Sequence, residues 1–212
     1  MLTFTILAIL GALLAFVLFQ MTRKSGQAKI PAAAPAPALG GPADLWSARK
    51  GDVVSITGAA ADFSDVDFTV DRRGAYEANN RRWIELSGEF RGNRVYLEVQ
   101  RGPEAEVMGL LDPRKLTLVD VGLGEDRLVD MDAKQDPSQT ISFEGKFWSY
   151  ESSREIGYFE DEQGAGEGVY RWLFREPNGS RLLCIEKWEG EPFDVRLAVR
   201  IKPSDITVYR AA

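Results

Sequence analysis

Residues 193–201 read Phe193-Asp194-Val195-Arg196-Leu197-Ala198-Val199-Arg200-Ile201. Phe193, Val195, Leu197, Val199 and Ile201 alternate with Asp194, Arg196, Ala198 and Arg200, so an extended chain puts the first set on one face and the second on the other. That is a β-strand with one face apolar and one solvated. Working outward, Val53 to Ile56, Phe68 to Val70 and Ile206 to Tyr209 are further short β-branched and aromatic runs, bounded by Gly, Pro, Asn and Asp. Only Gly122 to Met131 has a helical pattern, and that helix is short.

The strand pattern recurs with fixed landmarks. Arg82-Trp83 leads a strand, a turn at Gly92-Asn93 and then Val95-Tyr96-Leu97-Glu98; Arg171-Trp172 leads a strand, the turn Pro177-Asn178-Gly179 and then Leu183-Cys184-Ile185-Glu186. Pro113 precedes Leu116-Thr117-Leu118 as Pro203 precedes Ile206-Thr207-Val208. Trp83 to Glu98 is 15 residues and Trp172 to Glu186 is 14, so aligning the glutamates leaves Arg94 and Arg181 one position out of register. A one-residue slip in a strand turns every side chain to the opposite face. The expected fold is mainly β: an N-terminal transmembrane helix followed by two related antiparallel β units, barrel- or sandwich-like, packed face to face or joined in one continuous sheet. The expected divisions are an anchor at 1–24, a Pro/Ala-rich tether at 25–43, a first β unit at 44–121, a connecting segment with a short helix at 122–137, and a second β unit at 138–212.

Leu2 to Met21 carry no charge. Twenty helical residues at 1.5 Å each reach about 30 Å, the thickness of a bilayer's hydrocarbon core. A cleaved signal peptide has its basic residues before the apolar run, whereas here Arg23, Lys24 and Lys29 follow it. The same three residues place the remainder of the chain in the cytoplasm by the positive-inside rule, which predicts a single-pass protein of the inner membrane. Residues 25–43 hold four prolines and three glycines, the composition of a semi-extended spacer.

With those three basic residues set aside, 23 of the 26 basic residues and all 32 acidic ones lie from Asp44 onward, a net charge of about −9. Nucleic-acid binding rests on neutralising phosphates with Lys and Arg, so an acidic domain without a basic stripe is set against that class. There is no histidine, which removes Ser-His-Asp and Cys-His catalysis and His-ligated zinc. The single cysteine, Cys184, lies in an apolar run and reads as a small buried hydrophobe. No cofactor or metal site is expected. Asp130, Asp132 and Asp136 lack the glycine and terminal Glu of a calcium loop. Gly164, Gly166 and Gly168 lack the Lys-Ser/Thr of a phosphate loop and read as a hairpin loop, and Asp71-Arg72-Arg73-Gly74 reads as a turn with solvated arginines.

Five residues remain as candidates. Trp83 and Trp172 are either the walls of a shared aromatic cleft or, as the default, two core anchors. Glu98 sits between Leu97 and Val99, and Glu186 begins a charged stretch with Lys187; both are expected on solvated strand faces. Glu85 lies two residues beyond Trp83 and shares its face, so it is the acid most readily placed beside a cleft.

Trp83-Ile84-Glu85, Tyr170-Arg171-Trp172-Leu173 and the opening Gly51-Asp52-Val53-Val54 give the region 45–210 a pattern that resembles the bacterial domain of unknown function family DUF4178. The second half departs from that pattern at Phe174, where a repeated Trp-x-Glu would place a carboxylate. The resemblance implies a β module without established catalysis, linked to membrane-stress machinery, and brings no catalytic residues. The leading expectation is therefore a binding or scaffolding module held at the inner membrane beside a membrane-associated protein partner. The alternatives are an enzyme or small-metabolite-binding domain working through carboxylates, and a periplasmic structural protein.

Overall fold

The computed structural model describes residues 39–101, 105–177 and 179–211. The expected membrane anchor, 1–24, lies outside them; among the described residues no helix is long and apolar enough to cross a membrane. Thirteen strands and one α-helix make up the described fold: β1 (Leu39–Ala43), β2 (Val53–Ile56), β3 (Val66–Thr69), β4 (Arg72–Ala78), β5 (Arg81–Phe90), β6 (Asn93–Gln100), β7 (Glu106–Leu110), α1 (Glu125–Lys134), β8 (Thr140–Phe143), β9 (Lys146–Glu160), β10 (Glu167–Arg175), β11 (Arg181–Trp188), β12 (Phe193–Ile201) and β13 (Ile206–Ala211). The strand read from residues 193–201 is β12, end to end.

The architecture is mainly β, an eight-stranded antiparallel barrel with a small sheet beside it. In the order β4-β5-β6-β7-β12-β11-β10-β9, each strand pairs with the next, and β9 closes the ring by pairing with both β10 and β4. The long β9 bends between two partners on one edge: Ser149 to Lys146 pair with β8, while Gly157 to Glu160 pair with β4. The small sheet runs β1-β13-β2-β3. Strands of 44–121 and 138–212 therefore share one closed sheet, and they meet again where β13 pairs with β2.

Register decides which residues face the lumen. Trp83, Glu85 and Ser87 lie on one face of β5, and Ile84 and Leu86 on the other. Glu85 stands opposite Gly74 on β4 and Glu98 on β6, and Arg171 on β10 stands opposite Glu186 on β11. Carried round the ring, this alternation sends the charged residues Glu85, Glu98, Arg171 and Glu186 inward together with Tyr76, Trp83, Ile156, Val169 and Leu182, and sends Ile84, Leu86, Leu97, Trp172, Phe174 and Leu183 outward.

The outward set is covered on two sides. Ile84, Leu86, Val95, Leu97, Val99 and Val107 pack against Val54, Ile56 and Phe68 of the small sheet. Elsewhere on the wall Trp172, Phe174, Leu183, Ile185 and Val195 pack against Leu128 and Met131 of α1 and against Ile141, Phe143 and Trp148 around β8. Burying one such side chain stabilises by about 1.5–3 kcal/mol. The two larger apolar cores thus lie between the barrel wall and its covers, while inside the barrel the charged groups are flanked by two smaller clusters, Ile156 and Val169 with Tyr76 and Trp83, and Leu110 and Leu182 with Ala198. Gly88 shows how close the small sheet comes, since a Cβ there would stand 2.2 Å from the Thr69 carbonyl oxygen.

Several sequence expectations are corrected. The helix spans Glu125–Lys134 rather than 122–131, because Gly122 takes a left-handed turn (φ 68°) and the first helical carboxylates, Glu125 and Asp126, suit the positive N-terminal end. Arg72-Arg73-Gly74 are not a turn: they open β4, and Arg73 donates to the carbonyls of Trp46 and Ala48. Leu39–Ala43, within the tether range, pair with β13 as an edge strand, where Pro42 is tolerated. The parallel between Leu116 and Ile206 ends in the sequence, since Leu116 makes only an isolated bridge to Val195 while Ile206 begins β13. Gly164, Gly166 and their neighbours form the expected loop between β9 and β10.

Candidate functional site

The Arg171 side chain crosses the lumen. Arg171 projects from β10 and donates from both terminal nitrogens to the two carboxylate oxygens of Glu98 on β6, each at 2.8 Å. In the ring, β10 and β6 are four strands apart, so this bidentate pair spans the barrel. The Arg171 Nε donates to Glu186 at 2.8 Å on the adjacent strand, and the Trp83 indole N–H donates to Glu98 at 2.9 Å. The guanidinium also lies over the Tyr76 ring, 4.7 Å from its centroid, and that ring stacks on Trp83. Arg171 is 4% exposed and Glu98 5% exposed, so water screens this pair poorly.

Glu85 lies beside that strut without sharing it. Its carboxylate accepts hydrogen bonds from the Tyr76 hydroxyl at 2.9 Å and the Tyr158 hydroxyl at 3.2 Å. Among the described residues no Lys or Arg forms an ion pair with it. Burial, reinforced by the charge on Glu98, pushes its pKa up to about 7 despite those two hydroxyls. Glu85 is consequently divided between its two protonation states near neutrality. Burial raises Tyr76 well above the usual phenol range, and the charges of Glu186 and Glu85 add to it, so it stays a donor. Arg171 is held firmly cationic by Glu98 and Glu186 against its burial.

Tyr158 reaches Glu85 because the position between them is empty. Gly74 faces Glu85 from β4, and a Cβ on Gly74 would stand 2.5 Å from the Tyr158 hydroxyl oxygen. Tyr158 in turn packs edge-on against Trp188, ring centroids 5.5 Å apart.

Two cavities open on the strut. One, of about 750 Å³, is lined by Glu85, Tyr158, Trp188 and Glu186, with Glu160 and Glu167 toward its rim. The other, of about 350 Å³, is lined by Trp83, Met108, Arg154, Arg171 and Arg200. Glu98 lines both. An eight-stranded barrel has an interior suited to side chains or one small ligand, and here it holds a partition with space on either side.

Of the five sequence candidates, Trp83, Glu85, Glu98 and Glu186 meet in this lumen and Trp172 does not. Trp172 packs on the outer wall with Tyr170 and Phe193. Glu98 and Glu186, expected on solvated faces, are 5% and 8% exposed; the alternation was read correctly, but the polar face of these strands is the inside of a barrel. Cys184 is buried as expected, and burial pushes its thiol up, so it carries no thiolate chemistry. Arg171, Tyr76, Tyr158 and Trp188 were missed as site residues. The signal for Arg171 was the unequal spacing: counted from Glu186, the lumen parity falls on residue 171 and not on Trp172.

A family model described as a domain of unknown function (DUF4178) matches residues 57–203. No curated protein and no solved structure matches the chain.

Proposed function

This chain belongs to the DUF4178 family, whose description names no activity, and from that premise we propose that its barrel is a binding module for a small polar ligand taken into the lumen. The observation that carries the reading is a buried, charge-bearing partition, Arg171 with Glu98 and Glu186, standing at the floor of a cavity of about 750 Å³. Ligand sites are concave spaces of about 300–1,000 Å³ with a few convergent polar groups. A barrel serving only as a scaffold is more stable with its lumen filled by apolar side chains, since buried ion pairs seldom add net stability.

Two four-stranded meanders, β4 to β7 and β9 to β12, meet like against like, β4 on β9 and β7 on β12. This supports reading the barrel as an internal duplication with one wall of the lumen from each half. The apolar run Leu2 to Met21 supports a tether that holds the barrel at the cytoplasmic face of the inner membrane. Ligand occupancy is then passed to a membrane-associated protein partner by proximity, as effective concentration favours.

Native mass spectrometry of the full-length protein, extracted from its own membrane in mild detergent, tests the binding reading. An adduct of small-molecule mass on the wild type that is absent from Leu110→Trp, where a large ring fills the cavity, supports it. Identical spectra for the two proteins count against it.

A further inference from the structure

We propose that the larger cavity is a site for an organic cation, its ammonium seated against Glu85 and its apolar body in the corner formed by Tyr158 and Trp188. This rests on the reading of the lumen as a ligand site and gives the ligand its charge.

The first argument is the count of charge around the partition. Glu85, Glu98 and Glu186 are 6%, 5% and 8% exposed, and the one guanidinium among them, Arg171, is held by Glu98 and Glu186. Glu85 is left with two phenolic hydroxyls. A buried carboxylate without a cation is unfavourable by several kcal/mol and is relieved by a proton or by a positive ligand. The cavity supplies room for the second solution, with Glu85 on its wall.

The second argument is what surrounds that wall. Glu160, Asp161 and Glu167 line the same cavity. Its two arginines are each beside another acid: Arg72 lies 3.6 Å from Glu160, and Arg196 pairs with Asp194. Asp161 is paired with Lys50, but Glu85 and Glu167 form no ion pair among the described residues, so an anion entering this space would lose its hydration beside those two carboxylates, whereas a cation is drawn along the rim toward the floor.

The third argument is shape. Tyr158 and Trp188 stand nearly perpendicular, at 86°, and make two walls of a corner. Aromatic faces attract a desolvated cation and accept hydrocarbon equally well. Among the described residues no three acidic or thiol side chains converge as metal ligands, and the volume far exceeds that of a bare ion.

The test uses the full-length protein in detergent and three probes with one ring and different charge: benzylammonium, benzyl alcohol and benzoate. Binding is followed by tryptophan fluorescence, to which Trp188 contributes, and by calorimetry. Benzylammonium is expected to bind at least tenfold more tightly than benzyl alcohol, with benzoate weakest. Glu85→Gln, which removes a buried charge and keeps the shape, is expected to abolish that preference, and Trp188→Leu to weaken benzylammonium severalfold. Equal or tighter binding of benzyl alcohol or benzoate, blocked by Leu110→Trp, overturns the cation site while the lumen stands as a ligand site. A charge preference that survives Glu85→Gln also overturns it. Failure of all three probes to bind, together with no adduct in native mass spectrometry, overturns both.

Discussion

Arg171 and Glu98 come from opposite halves of the chain and join across the width of the barrel through two hydrogen bonds of 2.8 Å. The pair is buried on both sides, so its members depend on each other. Arg171→Met leaves Glu98 and Glu186 without a cation and is expected to destabilise the protein by about 3–5 kcal/mol, the range for breaking a buried pair from one side. Adding Glu98→Gln and Glu186→Gln to Arg171→Met should recover most of that loss, because the penalty lies in the stranded charges. Urea unfolding of the single and triple variants measures both; a triple variant no more stable than Arg171→Met sinks the account.

Glu85 makes stability depend on pH in the direction opposite to most carboxylates. Its folded pKa, about 7, lies above its ordinary value of 4.5, so between those values the folded state holds a proton that the unfolded state has released. The stabilisation is complete below pH 4.5 and is lost as pH rises toward 7, in total about 3 kcal/mol from a shift of that size. Glu176 acts the other way: its pairing with Arg181 holds it down to about 2, so its contribution is lost as pH falls from about 4.5 toward 2. Melting temperature is therefore expected to peak on the acid side of neutrality. Glu85→Gln should match wild type near pH 4 and exceed it at pH 8; parallel curves across that span would show that Glu85 does not titrate there.

Sequence carried the strands further than it carried the site. Alternation located β12 to the residue, and the run Val53 to Ile56 is β2. Alternation reports only that one face is polar, and it cannot distinguish bulk water from a closed lumen, which depends on β9 pairing with β4 and β10 at once. Glu98 and Glu186 were misplaced for that reason. Trp172 was grouped with Trp83 because their surroundings match in order; the difference of one residue in the distance to the following glutamate puts one ring inside the barrel and the other outside. Tyr158 joins Glu85 only through that pairing, which is long-range and leaves no local pattern.

Gly74→Ala tests the geometry around Glu85 without touching a charged group. Its Cβ meets the far end of the Tyr158 side chain, which has room to swing, so the fold is expected to survive with the Tyr158 hydrogen bond to Glu85 broken. One favourable bond to the carboxylate is then lost, so the Glu85 pKa should rise further and the loss of stability, which still begins near pH 4.5, should extend to higher pH and be larger in total. Infrared titration of the buried carboxyl band in Gly74→Ala and wild type reads the shift. An unchanged midpoint would show that Tyr158 contributes nothing to Glu85.

Asp52 ties β13 to the segment leading into β2, and its removal should loosen the small sheet while the lumen keeps its structure. It is 1% exposed and accepts from the Ala211 amide at 3.0 Å, the Arg49 amide at 3.0 Å and the Arg210 guanidinium at 2.9 Å. Burial opposes its ionisation, yet the Ala211 and Arg49 amides together with Arg210 outweigh that and keep the carboxyl below the usual range. Asp52→Asn retains the shape but removes the charge that Arg210 faces, and hydrogen bonds to charged groups contribute about 1.5–3 kcal/mol each. Because Ala211 and Arg210 lie on β13, which sits between β1 and β2, the loss falls on that sheet. Hydrogen exchange is the discriminating measurement: β13 and β2 amides should exchange faster in Asp52→Asn, with β6 and β10 protected as in wild type. Uniformly faster exchange would mean that the small sheet and the barrel open as one unit, with Asp52 supporting both.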